Sequence, residues 1–533
     1  MSRRFYFFLF AAGLLVYGLA AAWQNAPGYM DADYYYAGAL RLSGGVGLSE
    51  PYLWNYLGDP PGLPAPAFAY WMPLVSLLAA VGLKLGLGWW GARLPLLLLA
   101  ACAPPLAARL AWTLTGATFA ARLSGILALF PGFYLAYLGT TDAFAVYMVL
   151  GSLFMLLAFE TRVGLNLRMA GLGALAGLMH LARADGLLWL AAALGVAIWQ
   201  LWRLRAGIAR PALWVSLALP LVGYILVMAP WYARNLQAWG ALFPPGNGRA
   251  LWLVEYEQTM IYPASRLNFS AWLEAGWNAH LADRLEALSS NAQTILAVQG
   301  GVVLFPFMAM GAWKLRRSPL VRLGALVWGM TLAAMSLVFP YAGMYGGFFH
   351  SGAAVQPLLW ALAPVGLEAA VAWTAKQRRW QRGAQVLRFM AALLVITGAL
   401  LSGGLYAMRV IGSEGELEHP ETWAWHVSPV HYLAVESALV RQGAAPGQVV
   451  LVNNPPGYYL ASGRPAIVIP YGDENMLLQT AHHYQADYLI LEENNPVMLA
   501  ELYLRRSELP ELEYLGQVGA TGLYRIHREA GAP

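Results

Sequence analysis

Long apolar runs recur along this chain, beginning with FYFFLFAAGLLVYGLAAA at residues 5–22. A helix needs about 20 residues to cross the hydrocarbon of a bilayer. Only helices or closed barrels satisfy their backbone polar groups in lipid, and these runs lack the alternation of barrel strands. The pattern predicts a polytopic α-helical membrane protein of about 11–13 transmembrane helices. Spans are expected near 5–23, 64–86, 91–112, 119–138, 142–160, 168–182, 186–202, 211–230, 291–313, 320–338, 351–373 and 385–406. The first is too long for a secretory signal core and is expected to remain as a helix. Charged residues make up only 11% of the 533, and the net charge is +5. That excess sits in short clusters beside apolar runs, which is a topology signal and not a nucleic-acid footprint. The single cysteine, Cys102, allows no intrachain disulfide.

Basic clusters mark the cytoplasmic side. They lie at 3–4, 161–168, 202–210, 314–322 and 376–382. The N-terminus is then cytoplasmic, and loops 24–63 and 231–290 and the tail face out. Strict alternation from the first span puts 161–168 on the wrong side. Some segment between 64 and 140 must therefore be a half-span, a re-entrant pair or two short helices. Pro73, Pro95, Pro104 and Pro105 lie there and can break a helix. Residues 1–406 read as the membrane module and 407–533 as a small extracytoplasmic α/β domain. In that tail, 447–454, 465–470 and 486–493 read as strands, with helices at 473–485 and 496–506 between them.

The polar residues gather at the expected outer face. GYMDADYYYAGALRLSGG (28–45) places Asp31 and Asp33 just beyond the first span, followed by Tyr34. Asp31 suits a helix N-cap, and it also suits a general base. TTDAFAV (140–146) carries Asp142 at a helix start. HLARADGLLWL (180–190) crowds His180, Arg183 and Asp185 into a tight turn, either as an Arg–Asp pair or as the lining of a polar cavity. APWYARNLQAWGALFPPGNGR (229–249) brings Trp231, Arg234 and Asn235 to the same face. Arginine binds phosphate through a planar fork and stays charged, although an interfacial arginine also snorkels. Carboxylates beside arginines suit transfer from a lipid-phosphate donor. No P-loop or glycine-rich nucleotide signature is present. His419, His426 and His431 follow the last span, but their spacing matches no standard zinc site.

Taken in order, the first-loop acids, the RADGLLWL turn and PWYARNLQAWG resemble the GT-C class of membrane glycosyltransferases, near the protein O-mannosyltransferase and aminoarabinose transferase-like enzymes. The resemblance covers roughly residues 1–250. It implies sugar transfer, inverting in outcome, from a polyprenyl-phosphate carrier to a lipid, glycan or protein acceptor, at the outer face of the inner (plasma) membrane. It assigns the catalytic base to Asp31, with Asp33 next; Arg183 and Arg234, by their chemistry and face, are read as lying near the donor phosphate. It leaves Asp142 and Asp185 as orienting or metal-binding carboxylates, and Tyr34, His180, Trp231 and Asn235 in the substrate groove. A divalent cation is compatible with the class. The competing readings are a transporter or lipid flippase, whose ionisable groups belong near the bilayer midplane, and a membrane-anchored binding protein.

Overall fold

The computed structural model describes residues 1–204, 210–379 and 382–527. Parts of the basic loops at 202–210 and 376–382 lie outside the described residues. Among the described residues, ten α-helices run up to Trp239: α1 (Arg3–Ala22), α2 (Met30–Ser43), α3 (Leu74–Leu83), α4 (Gly88–Ala101), α5 (Ala103–Thr115), α6 (Thr118–Ala128), α7 (Phe144–Ala158), α8 (Leu165–Ala182), α9 (Leu187–Leu204) and α10 (Arg210–Trp239). Further long helices run over Trp277–Thr294, Pro319–Ala333, Gln356–Arg378 and Gly383–Val410.

Among the described residues, seven helices are long and apolar enough to cross a membrane. The other expected spans appear as shorter or interrupted helices. The run at 64–86 is non-helical up to Pro73, and only the ten residues of α3 follow. Pro73 and the helix-breaking loop before it explain that start. The run at 91–112 lies within one of the seven, Gly88–Thr115, in which α4 and α5 meet at Cys102 just before Pro104 and Pro105. The run at 119–138 ends as a helix at Ala128, and a single 3-10 turn follows Pro131. The run at 291–313 is interrupted by a π turn at Ile295–Gln299 and by Gly300 and Gly301 before Phe305–Lys314. Between 64 and 140, where the arginine pattern asks for a half-span or short helices, α3 and α6 are the short ones. α8 packs closely on α10 through Gly173, Gly177 and Gly223, whose missing side chains let the backbones approach.

The helix Gly383–Val410 runs straight into the tail. There a six-stranded sheet has the order β2-β5-β4-β6-β8-β7. Its strands are β2 (Tyr52–Leu53), β4 (Val449–Val452), β5 (Ala466–Val468), β6 (Ala486–Leu491), β7 (Leu512–Val518) and β8 (Thr521–Ile526). The first four are parallel, and β8 and β7 are antiparallel. The three expected strands are present, and so is the helix Glu474–His483. One face of the sheet packs on the helices Val427–Arg441 and Pro455–Ser462, and the other on Glu474–His483 and Leu499. The edge strand β2 comes from the first loop, where β1 (Ser49–Glu50) and β3 (Ala65–Pro66) also pair. The first loop and the tail therefore share one sheet.

Candidate active site

The turn before α2 is extended at Tyr29, the N-cap residue, whose side chain does not cap. Asp31 is therefore not the cap; it lies with Asp33 in the first turn, where the helix dipole favours a carboxylate. Two residues advance about 200° around a helix, so the two acids face opposite ways.

Asp31 faces a cluster built from distant parts of the chain. Its Oδ2 lies 3.8 Å from His350 Nε2. Asp142 Oδ2 lies 3.0 Å from the same nitrogen and accepts a 2.5 Å hydrogen bond from the Tyr29 hydroxyl. Asp142 Oδ1 accepts from the Ala143 N–H at the entry to α7. His350 Nδ1 meets the Gly346 carbonyl at 2.8 Å. A carbonyl only accepts, so Nδ1 carries the proton and Nε2 faces two carboxylates. That arrangement requires positive charge, as a second proton or as a cation. Burial lifts the Asp31 carboxyl to about 6, against the pull of His350.

The cluster fits a divalent cation. The ligand atoms of Asp31, Asp142 and His350 all lie within 4.8 Å of one another. Two carboxylate oxygens and an imidazole nitrogen whose other nitrogen is held by a carbonyl form a donor set suited to zinc or manganese. Asp185 is engaged elsewhere. It receives Arg183 Nε at 2.9 Å and stands 3.4 Å from the Tyr147 hydroxyl. The other two nitrogens of the Arg183 fork have no hydrogen-bond partner among the described residues. Arg183 lies close enough to Asp31 and Asp142 to act on both charges.

Asp33 turns away from this cluster. It is 5% exposed, and its Oδ2 accepts a 2.9 Å hydrogen bond from Asn454 of the tail. Burial raises its carboxyl to about 7, partly offset by that bond.

Of the remaining sequence-predicted residues, Tyr34 and Arg234 brace the first loop, whereas Asn235 and His180 bond elsewhere. The Tyr34 hydroxyl donates to Glu50 and accepts from the Phe68 N–H. Arg234 lies between the rings of Trp231 and Trp239 and donates to the carbonyls of Leu48 and Ala67, the two limbs of the first-loop hairpin. Asn235 holds the Leu242 carbonyl, and His180 holds the Tyr224 hydroxyl. No described contact joins these residues to the Asp31 cluster. His419, His426 and His431 do not converge: they bond to Glu421, to Pro420 and Asn25, and to Thr521.

Among solved structures, the chain is similar to ArnT from Cupriavidus metallidurans bound to undecaprenyl phosphate, with 13% identity and a TM-score of 0.56 over all of both chains. It is similar to the Archaeoglobus fulgidus oligosaccharyltransferase in complex with Zn and sulfate, with 12% identity and a TM-score of 0.53 over 93% of this chain and 69% of that one. It is also similar to the arabinofuranosyltransferase AftD from Mycobacteria, with 13% identity and a TM-score of 0.51 over 99% of this chain and 42% of that one. The fold is of the GT-C type. No protein-family model matches the sequence, and the search of curated proteins found no match.

The resemblance read from the sequence motifs therefore holds for the GT-C fold. Sequence reasoning missed His350 and Tyr29. Tyr29 was visible as the residue ahead of the acids. His350, in GMYGGFFHSG (343–352), was readable only as one ionisable residue in a glycine-rich stretch between two apolar runs.

Proposed function

We propose that this GT-C protein transfers a sugar from a polyprenyl-phosphate-linked donor to a hydroxyl on a lipid, glycan or protein acceptor. What carries this reading is the meeting of Asp31, Asp142, Arg183 and His350 at one end of the helix bundle, within a fold matched end to end by an enzyme crystallised with undecaprenyl phosphate. Asp31 is the general base. Its side chain is 29% exposed, so an acceptor can reach it, whereas Asp142 and Asp33 are covered. It takes the acceptor proton as the acceptor oxygen attacks the anomeric carbon from the face opposite the carrier phosphate, with inversion. Arg183, held at Nε by Asp185, turns its free fork to the leaving phosphate, where charge develops. Asp142 and His350, with Asp31, would hold a divalent cation, and such an ion would supply further positive charge to the site. Tyr29 keeps the Asp142 carboxylate oriented.

The same geometry bears on the orientation. α1 begins at the basic pair Arg3 and Arg4 and ends about 30 Å away beside the site, where the Asn25 N–H donates to His426 of the tail. This supports a cytoplasmic N-terminus and a site and tail on the outer side of the plasma membrane. The transporter reading expects ionisable residues at the midplane, and the Asp31 cluster sits at a bundle end. The test is release of undecaprenyl phosphate and labelled product from a series of undecaprenyl-phosphate-linked sugars, with cell-envelope extract as acceptor. Turnover by purified wild-type protein supports the reading. Vesicle uptake of labelled lipid without product formation supports the transporter instead.

A further inference from the structure

Asp31 and Asp33 stand on opposite sides of α2 and cannot act at one point. Asp33 Oδ2 accepts from Asn454 Nδ2 at 2.9 Å. Asn454 also caps the tail helix Pro455–Ser462, its Oδ1 accepting from the Gly457 N–H at 3.1 Å. The first turn of that helix presses on α2 so closely that a Cβ on Gly457 would lie 2.9 Å from Asp33 Oδ2. The Asp33 carboxylate thus rests on a helix N-terminus, where backbone dipoles favour negative charge.

The contact falls at a special place in the tail. Asn454 follows the carboxyl end of β4, next to β6 in the sheet. The chain leaving β4 packs on one face, and the chain leaving β6 packs on the other. Open α/β sheets use such switch points to meet other molecules. A second tie runs beside it: Arg41 of α2 reaches both Ser49 of β1 and the Tyr459 hydroxyl of the same tail helix.

We propose that Asp33 and Asn454 form a latch through which the tail fixes α2, and so sets Asp31 on the opposite face of that helix for proton transfer. The two residues are positioning residues, and the tail is a working part of the active site. The kinetic arm of the test rests on the proposed sugar transfer, whereas the exchange arm does not.

The experiment uses full-length protein. Asn454→Asp keeps a good N-cap but sets a carboxylate against Asp33. The swapped pair, Asp33→Asn with Asn454→Asp, rebuilds the amide–carboxylate bond in reverse. Two quantities are measured: kcat and donor KM with an undecaprenyl-phosphate-linked sugar that the wild type turns over, and hydrogen exchange across residues 30–43. Asn454→Asp should lower kcat about 10- to 100-fold with donor KM unchanged and speed exchange in α2. The swapped pair should recover both. Wild-type kcat and exchange in Asn454→Asp would overturn the latch. Restored exchange with no recovery of kcat in the swapped pair would overturn it too, because Asp33 would then do chemistry itself. A wild type that turns over no polyprenyl-phosphate donor would defeat the proposed function, while the exchange result would still decide the latch.

Discussion

Each of four buried or half-buried acids has its own set of partners, and that set defines its work. Asp31 faces His350, Asp142 is held by Tyr29 and His350, Asp33 meets Asn454, and Glu50 accepts from Tyr34. For Asp31, replacement by asparagine keeps the size and removes the proposed base. A positioned base is worth about 10² to 10⁴ in rate, so Asp31→Asn should lose that much kcat while still binding undecaprenyl phosphate. Equilibrium binding of labelled carrier alongside turnover checks both halves. Glu50 supplies the pH test. Burial lifts its carboxyl from 4.5 to about 8, overriding the pull of Arg234 and Arg41. The folded state then holds a proton that the unfolded chain has released. Stability from this residue is full below about pH 4.5 and falls as pH rises toward about 8. Glu50→Gln mimics the protonated acid, so thermal melts across that range should slope down less for the variant than for the wild type. Identical slopes would show that Glu50 is ionised in the fold.

At the scale of elements, the bends before and within the helices decide where the acids point. Gly28 has φ of +94° and lies so close to the Trp425 ring that any Cβ there would collide with it. That ring donates to the Ala26 carbonyl and packs against Tyr29, so the tail shapes the turn into α2. Gly28→Ala should therefore destabilise by at least about 1 kcal/mol and cut activity, read by melting temperature and turnover together. Which parts were legible in sequence follows from the range of the interactions. The pairing of Arg183 with Asp185 lies within one turn and was readable from RADG. His350 lies more than 200 residues from Asp142 and joins it only through packing. Arg234 reads as a phosphate ligand because its motif names a charge; the Leu48 and Ala67 carbonyls and the Asn235 amide oxygen that it reaches are partners no motif displays. The tail strands β4, β5 and β6 were legible as short apolar runs. The two residues of β2 were not, since their strand exists only by pairing with β5 across the chain.

For the whole molecule, the shared sheet and the Asp33–Asn454 contact tie the tail to the membrane part. Both sides of that junction should face the same compartment. In a Cys102-free variant, cysteines at Asn247 and Asn475 should both react with an impermeant thiol reagent in intact spheroplasts. Protection of Asn475 until the membrane is opened would reverse the proposed orientation. The central claim, transfer from a polyprenyl-phosphate donor by the Asp31 and Arg183 site, meets its most direct test in one measurement. Purified wild-type protein, Asp31→Asn and Arg183→Ala are each given undecaprenyl-phosphate-linked labelled sugars with envelope extract, and released undecaprenyl phosphate is counted against labelled product. The account predicts matched release and product for the wild type, a loss of about 10² to 10⁴ in kcat for Asp31→Asn, and weakened donor use for Arg183→Ala. Wild-type turnover in both variants would contradict it.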